Sequence, residues 1–180
     1  MEFFDSHSHY NDEKFDKDRE EIIEQTYNDG ITKFVCAGYN IPSSKFSLEL
    51  AQKYNYIYSI VGISPNDIPQ TEEKLWKSIE EISNIAVENR NKKIVAIGEI
   101  GLDYYWNTEN KELQKKAFIK QIELANKLEL PIVIHSRDAF IDTIDIIKNH
   151  KVNKAGIFHC CQQNQELVKQ ALQLGYYISF

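Results

Sequence analysis

Several features are scarce or missing in this 180-residue chain, and each removes a class of protein. There are three cysteines, Cys36, Cys160 and Cys161, with no CxxC spacing. An odd count in or beside apolar runs reads as reduced, buried thiols rather than a redox or metal centre. No apolar run approaches the roughly 18–20 residues that span a bilayer, so no membrane partner is expected. The opening MEFFDSHSHY is acidic rather than basic, which argues against a signal peptide and for a cytoplasmic protein. No GxGxxG or GxxxxGK[ST] turn follows a strand-like run, which removes the usual nucleotide-binding signatures. Positive charge is also short: the net charge is −6 and the pI about 5.4. A protein gripping nucleic acid through a broad basic surface would be basic. A polyanionic substrate would therefore need a local positive centre, which a bound metal supplies. With no linker, low-complexity tract or composition shift, residues 1–180 read as one domain, and no obligate protein partner is evident.

What is present is ordinary for a globular protein, 42% hydrophobic and 27% charged residues, enough for one well-buried domain. Short runs rich in Val, Ile, Phe and Tyr recur: FFDSHSH, KFVCAG, YSIVGI, KIVAIGEIGLD, PIVIHSR, GIFHC and GYYISF. Several are apolar without alternation, as parallel strands buried on both faces require. Amphipathic stretches lie between them. Leu75, Ile79, Ile82 and Ala86 share a helical face, as do Leu113, Ala117, Ile122, Ala125 and Leu128. Ile144 and Ile147, then Leu167, Val168, Ala171 and Leu172, mark two shorter helices. Gly30 and Gly175 stand where helices should stop, and Pro131 opens a strand. The alternation predicts a parallel α/β fold, either a doubly wound sheet or a (βα)8 barrel. Metal-ligand residues at strand C-terminal ends favour the barrel, whose active sites sit there.

Of five histidines, His7, His9, His135 and His159 fall at the ends of predicted strands, and so does Glu99. His150, in a polar segment, reads as solvated. Strand residues i and i+2 share a side, so His7 and His9 can converge on one point. Taken singly the signals are weak. His135 or His159 alone reads as a hydrogen-bonded histidine, and Glu99 alone could pair with a lysine or arginine. Together they predict a site for divalent metal, because a carboxylate in an apolar strand needs a partner. Histidine with carboxylate suits Zn²⁺, Mn²⁺ or Fe²⁺, while Mg²⁺ prefers oxygen ligands. One or two ions would activate water, and two ions about 4 Å apart, bridged by a carboxylate such as Glu99, would clamp a phosphodiester.

DSHSH, GEIGLDYY at 98–105, PIVIHSRDA at 131–139, FHC at 158–160 and the closing GYYISF resemble, in order, the TatD family of metal-dependent deoxyribonucleases. The resemblance implies a (βα)8 TIM barrel of the metallo-dependent hydrolase type that cleaves DNA, often as a 3′→5′ exonuclease. It implies two divalent ions (Mg, Mn or Zn). His7 and His9 would bind one, Glu99 would bridge and act catalytically, and His135 and His159 would hold the second. Arg137 would contact a substrate phosphate.

Three departures from the family pattern stand out. Ser64 and Asn66, in GISPN, occupy positions where the family commonly has histidines, and HCCQQ replaces the family's HCFSG. The family barrel also runs to about 250 residues, with a strand-eight aspartate completing the site. This chain stops at Phe180, inside what should be strand seven. The expectation is an incomplete barrel of about seven strands, with unpaired edges, poor stability and little activity. Two alternatives remain: a metallo-hydrolase barrel acting on another ester, amide or phosphate, and an inactive relative that binds metal or a partner without turnover.

Overall fold

The computed structural model describes residues 2–90, 93–161 and 164–180. Seven parallel strands lie side by side in chain order: β1 (Phe3–Ser8), β2 (Ile31–Ala37), β3 (Ile57–Val61), β4 (Ile94–Asp103), β5 (Ile132–Arg137), β6 (Ile157–Phe158) and β7 (Tyr177–Ile178). Helices α1 (Arg19–Asn28), α2 (Ile41–Lys53), α3 (Glu72–Asn89), α4 (Lys111–Leu128), α5 (Phe140–Asn149) and α6 (Gln165–Gln173) carry the chain from each strand to the next. This is the order of a (βα)8 barrel through its first seven strands. Among the described residues there is no eighth strand, and β1 and β7 each pair on one side only.

Each expected strand run forms a strand. The core follows from strand alternation: in β2, Phe34 and Cys36 pack against Ile23 of α1 and Leu50 and Ala51 of α2. Val35 and Ala37 face the other way, onto Ile60, Ala96 and Val133 of the inner face. The largest cluster joins Ile97, Ile100, Ile132 and Ile134 to Leu75 and Ile82 of α3, Phe118 and Ile122 of α4 and Ile144 of α5. At one end the inner face borders a cavity of about 600 Å³ lined by Phe4, Val35, Ala96, Val133, Ile157 and Tyr177.

Two helices escaped the amphipathic reading, α1, which buries only Ile23, and α2. The packed side of α2 carries Ser43, Ser44 and Ser47 beside Leu48 and Ala51, so it has no continuous apolar stripe. Its start is nonetheless marked by a reciprocal cap between Asn40 and Ser43, with Pro42 in the first turn. Two further expectations need correction. Cys160 is exposed, leaving Cys36 and Cys161 as the buried thiols, because the chain turns outward directly after β6. Leu172 is 57% exposed, since α6 buries only Leu167 and Ala171. His150 is exposed, as expected. In HCCQQ, Gln162 and Gln163 lie outside the described residues. Among the described residues no helix is long and apolar enough to cross a membrane.

Candidate metal centre

The strands deliver their polar residues to one end of the sheet. His7 lies near the end of β1 and His9 just beyond it, so the two point the same way. Ser8, between them, turns to the opposite side and donates its hydroxyl to the Val35 carbonyl at 2.8 Å, which anchors β1 on β2. Glu99 sits within β4, only 7% exposed. His135 stands in β5, and His159 follows β6, its backbone N–H bonded to the Ile134 carbonyl at 3.1 Å. A close approach of β4 to β5 brings His135 in. Gly101, at φ +139°, lies so near that a Cβ there would stand 2.0 Å from the His135 carbonyl oxygen, so only glycine fits.

The two oxygens of Glu99 divide the histidines between them. Oε2 lies 3.3 Å from His7 Nε2 and 3.8 Å from His9 Nε2. Oε1 lies 3.0 Å from His135 Nδ1 and 3.2 Å from His159 Nε2, the latter off the line of a good hydrogen bond. His7 and His9 present Nε2 to each other at 3.1 Å, and the His7 ring stacks on His159 with centroids 3.9 Å apart. Donor atoms about 2.0–2.2 Å from one tetrahedral ion stand about 3.4 Å from each other. The spacings among His7, His9 and Glu99 Oε2 are of that size. The ligand atoms of His7, Glu99 and His159 also all fall within 4.8 Å of one another. The donor set therefore suits a divalent cation. Without one, the facing ring nitrogens of His7 and His9 can share only a single proton, and His159 Nε2 is buried with no partner among the described residues.

Electrostatics favours ligand-ready protonation on the β1 side. Burial, reinforced by neighbouring histidines, holds the pKa of His7 and of His9 below its ordinary value, so both rings are readily neutral. Burial works against ionised Glu99, but the close ring nitrogens of His135, His159 and His7 outweigh it and hold its carboxyl well below the usual range. His135 is shifted the other way. Burial opposes its charge, yet Glu99 and Asp103 together overcome that and raise it.

Asp103, at the end of β4, had no assigned role and belongs to the site. It is fully buried, and its Oδ2 lies 2.9 Å from His135 Nε2 and accepts from the Asn66 side chain at 3.1 Å. Its Oδ1 accepts the backbone N–H groups of Tyr105 and Trp106, both at 2.9 Å. Asn66, noted earlier only as a departure, is thus a donor to the carboxylate behind His135. Ser64 instead donates to Asp67 at 2.8 Å. Two buried glutamines of α4 brace the strand ends: Gln114 bonds both the N–H and the carbonyl of Asp103, and Gln121 does the same for Ile63. Their signal was polar side chains on an otherwise apolar helical face. Arg137 lies at the end of β5, its guanidinium carbon 4.0 Å from the centre of the Tyr105 ring.

A family model described as TatD related DNase matches residues 4–180. An uncharacterized metal-dependent hydrolase of Bacillus subtilis, YabD, is 38% identical over 98% of this chain and 68% of its own length. The 3'-5' ssDNA/RNA exonuclease TatD of Salmonella typhimurium is 31% identical over 92% of this chain and 62% of its own. Among solved structures, the Escherichia coli TatD homologue YJJV superposes with a TM-score of 0.89 at 28% identity, covering 98% of this chain and 66% of that one. The chain spans about two thirds of the length of these relatives.

Proposed function

The chain belongs to the TatD family of metal-dependent hydrolases, and on that premise we propose that it hydrolyses phosphodiester bonds of DNA with metal-activated water. In this reading His7, His9, Glu99, His135 and His159 hold two divalent ions of Mg, Mn or Zn type, in one domain spanning 1–180. Such ions lower the pKa of bound water to about 7 and polarise a phosphoryl oxygen. The observation that carries the reading is the split of Glu99, one oxygen toward His7 and His9 and the other toward His135 and His159.

The chain's own groups have distinct tasks. Glu99, kept ionised by its histidines, supplies the negative charge between the two halves of the site. Asp103 holds the His135 ring in orientation through Nε2, the task of a carboxylate behind a ligating histidine. Arg137, two residues beyond His135, takes a phosphate of the strand. The name of the Salmonella relative supports 3′→5′ digestion of a single strand. Two buried, unpaired thiols, Cys36 and Cys161, suit the reducing cytoplasm. The burial of Cys36 pushes its thiol up to about 12, so it is protonated and inert.

The deciding experiment incubates 3′-labelled and 5′-labelled single strands with the protein and Mg²⁺, Mn²⁺ or Zn²⁺, beside Glu99→Ala. The expected outcome is metal-dependent loss of the 3′ label by the wild type, slow because there is no eighth strand among the described residues to complete the site, and none by the variant. Release of product from another ester under the same conditions, with intact DNA, would move the assignment to a different substrate.

A further inference from the structure

Trp106 and Tyr105 are 68% and 51% exposed. Single exposed aromatics need no explanation, but these two form an organised group beside the metal centre. Their rings meet edge to face with centroids 4.7 Å apart. The Arg137 guanidinium carbon lies 4.0 Å from the Tyr105 centroid and 5.4 Å from that of Trp106. The turn that carries the rings is fixed by Asp103, whose Oδ1 accepts both of their backbone N–H groups while Oδ2 contacts His135. One carboxylate therefore sets the position of the aromatic pair and of a candidate ligand together. Arg137 arrives from the neighbouring strand, in register with Asp103 and on the same side as His135. Its Nε is buried without a hydrogen-bond partner among the described residues. A guanidinium packed on aromatic faces with an unsatisfied donor is suited to a phosphate.

We propose that Trp106, backed by Tyr105, is a stacking ledge for an unpaired base of the substrate strand, and that Arg137 takes the adjoining phosphate. The proposal rests on the nuclease reading above and gives its single-strand preference a residue basis: a base inside a duplex is stacked on both sides by its neighbours, whereas an unpaired base has a face free for the ring. It also accounts for nucleic-acid binding by a chain of net charge −6. Stacking on an aromatic face tolerates any base, and the Arg137 guanidinium packed on the two rings supplies local positive charge there.

The test measures binding of a non-cleavable phosphorothioate single strand by fluorescence anisotropy. A matched strand made abasic at its 3′-terminal nucleotides is measured alongside. Wild type should bind the base-bearing strand about 5- to 150-fold more tightly. Trp106→Ala should bind both strands with the same weakened affinity, and Trp106→Phe should keep most of the base dependence. If Trp106→Ala keeps the wild-type ratio, the ledge is overturned. A wild type that cuts DNA but shows no base dependence overturns the ledge and leaves the nuclease reading standing. A wild type that binds neither strand and also leaves the cleavable labelled strands of the preceding assay intact overturns both.

Discussion

Asp103 shows how one side chain can set several others. Burial opposes its ionisation, but the N–H of Trp106, the Asn66 amide and His135 together hold its carboxyl below the ordinary value. It therefore stands as a carboxylate against His135 Nε2. Replacing it by asparagine keeps an acceptor for the Tyr105 and Trp106 N–H groups and removes the charge behind His135. Asp103→Asn should lower metal affinity or activity about 10- to 100-fold, read by calorimetric metal titration, with the circular dichroism spectrum unchanged. The residue was open to detection, because the argument that singled out Glu99, a carboxylate in an apolar strand, applies equally four residues later. Positions i and i+4 of a strand share a face.

The helices hold the strand ends in place, and α4 does so with polar side chains. Gln114 and Gln121 satisfy backbone groups that would otherwise be buried without partners. A second brace joins α4 and α5 to the turn after β4: Asp142 Oδ2 accepts from Tyr104 Oη at 2.6 Å and from Lys115 Nζ at 2.8 Å. The Lys115 hydrogen bond, with help from Tyr104, holds the Asp142 carboxyl below its ordinary value. A depressed carboxylate contributes stability above the pKa of the unfolded chain and loses it as pH falls through the folded value. Asp142→Asn should cost about 0.5–1 kcal/mol at pH 7, the size of a partly exposed ion pair. Its urea midpoint should converge on the wild type as pH falls below 3.8, the free aspartate value.

Across the molecule, the candidate ligands come from β1, β4, β5 and the end of β6, so a cation would tie together strands far apart in sequence. Binding to the folded state alone at 100 times Kd adds about 2.7 kcal/mol. Chelation should therefore lower Tm, and His7→Ala with His9→Ala should abolish most of the metal-dependent rise in a thermal scan. The sheet also carries two one-sided edges. Phe3, Phe4 and Tyr177 on them are all exposed, a surface prone to pair with other chains. The 180-residue polypeptide should associate as its concentration rises, seen by light scattering, and Phe4→Lys should reduce this. A wild type that stays monodisperse at high concentration would contradict it.

The strand runs, their parallel character, the convergence of His7 with His9, and the placing of Glu99, His135 and His159 at or near strand ends could be read from local patterns. Each depends on residue type, a period of two and position at a strand end, which neighbours in the chain establish among themselves. α2 could not be read the same way, because serines fill its packed face. Nor could the Asn66 and His135 contacts of Asp103, the stacking of His7 on His159, or the seating of Arg137 against Tyr105 and Trp106. Those contacts join residues that are remote in sequence. They exist because parallel register, including the shift between Ile97 and Ile100 in β4, places particular side chains at one height. Spacing along the chain carries no information about that height, so it was decided only when the strands paired.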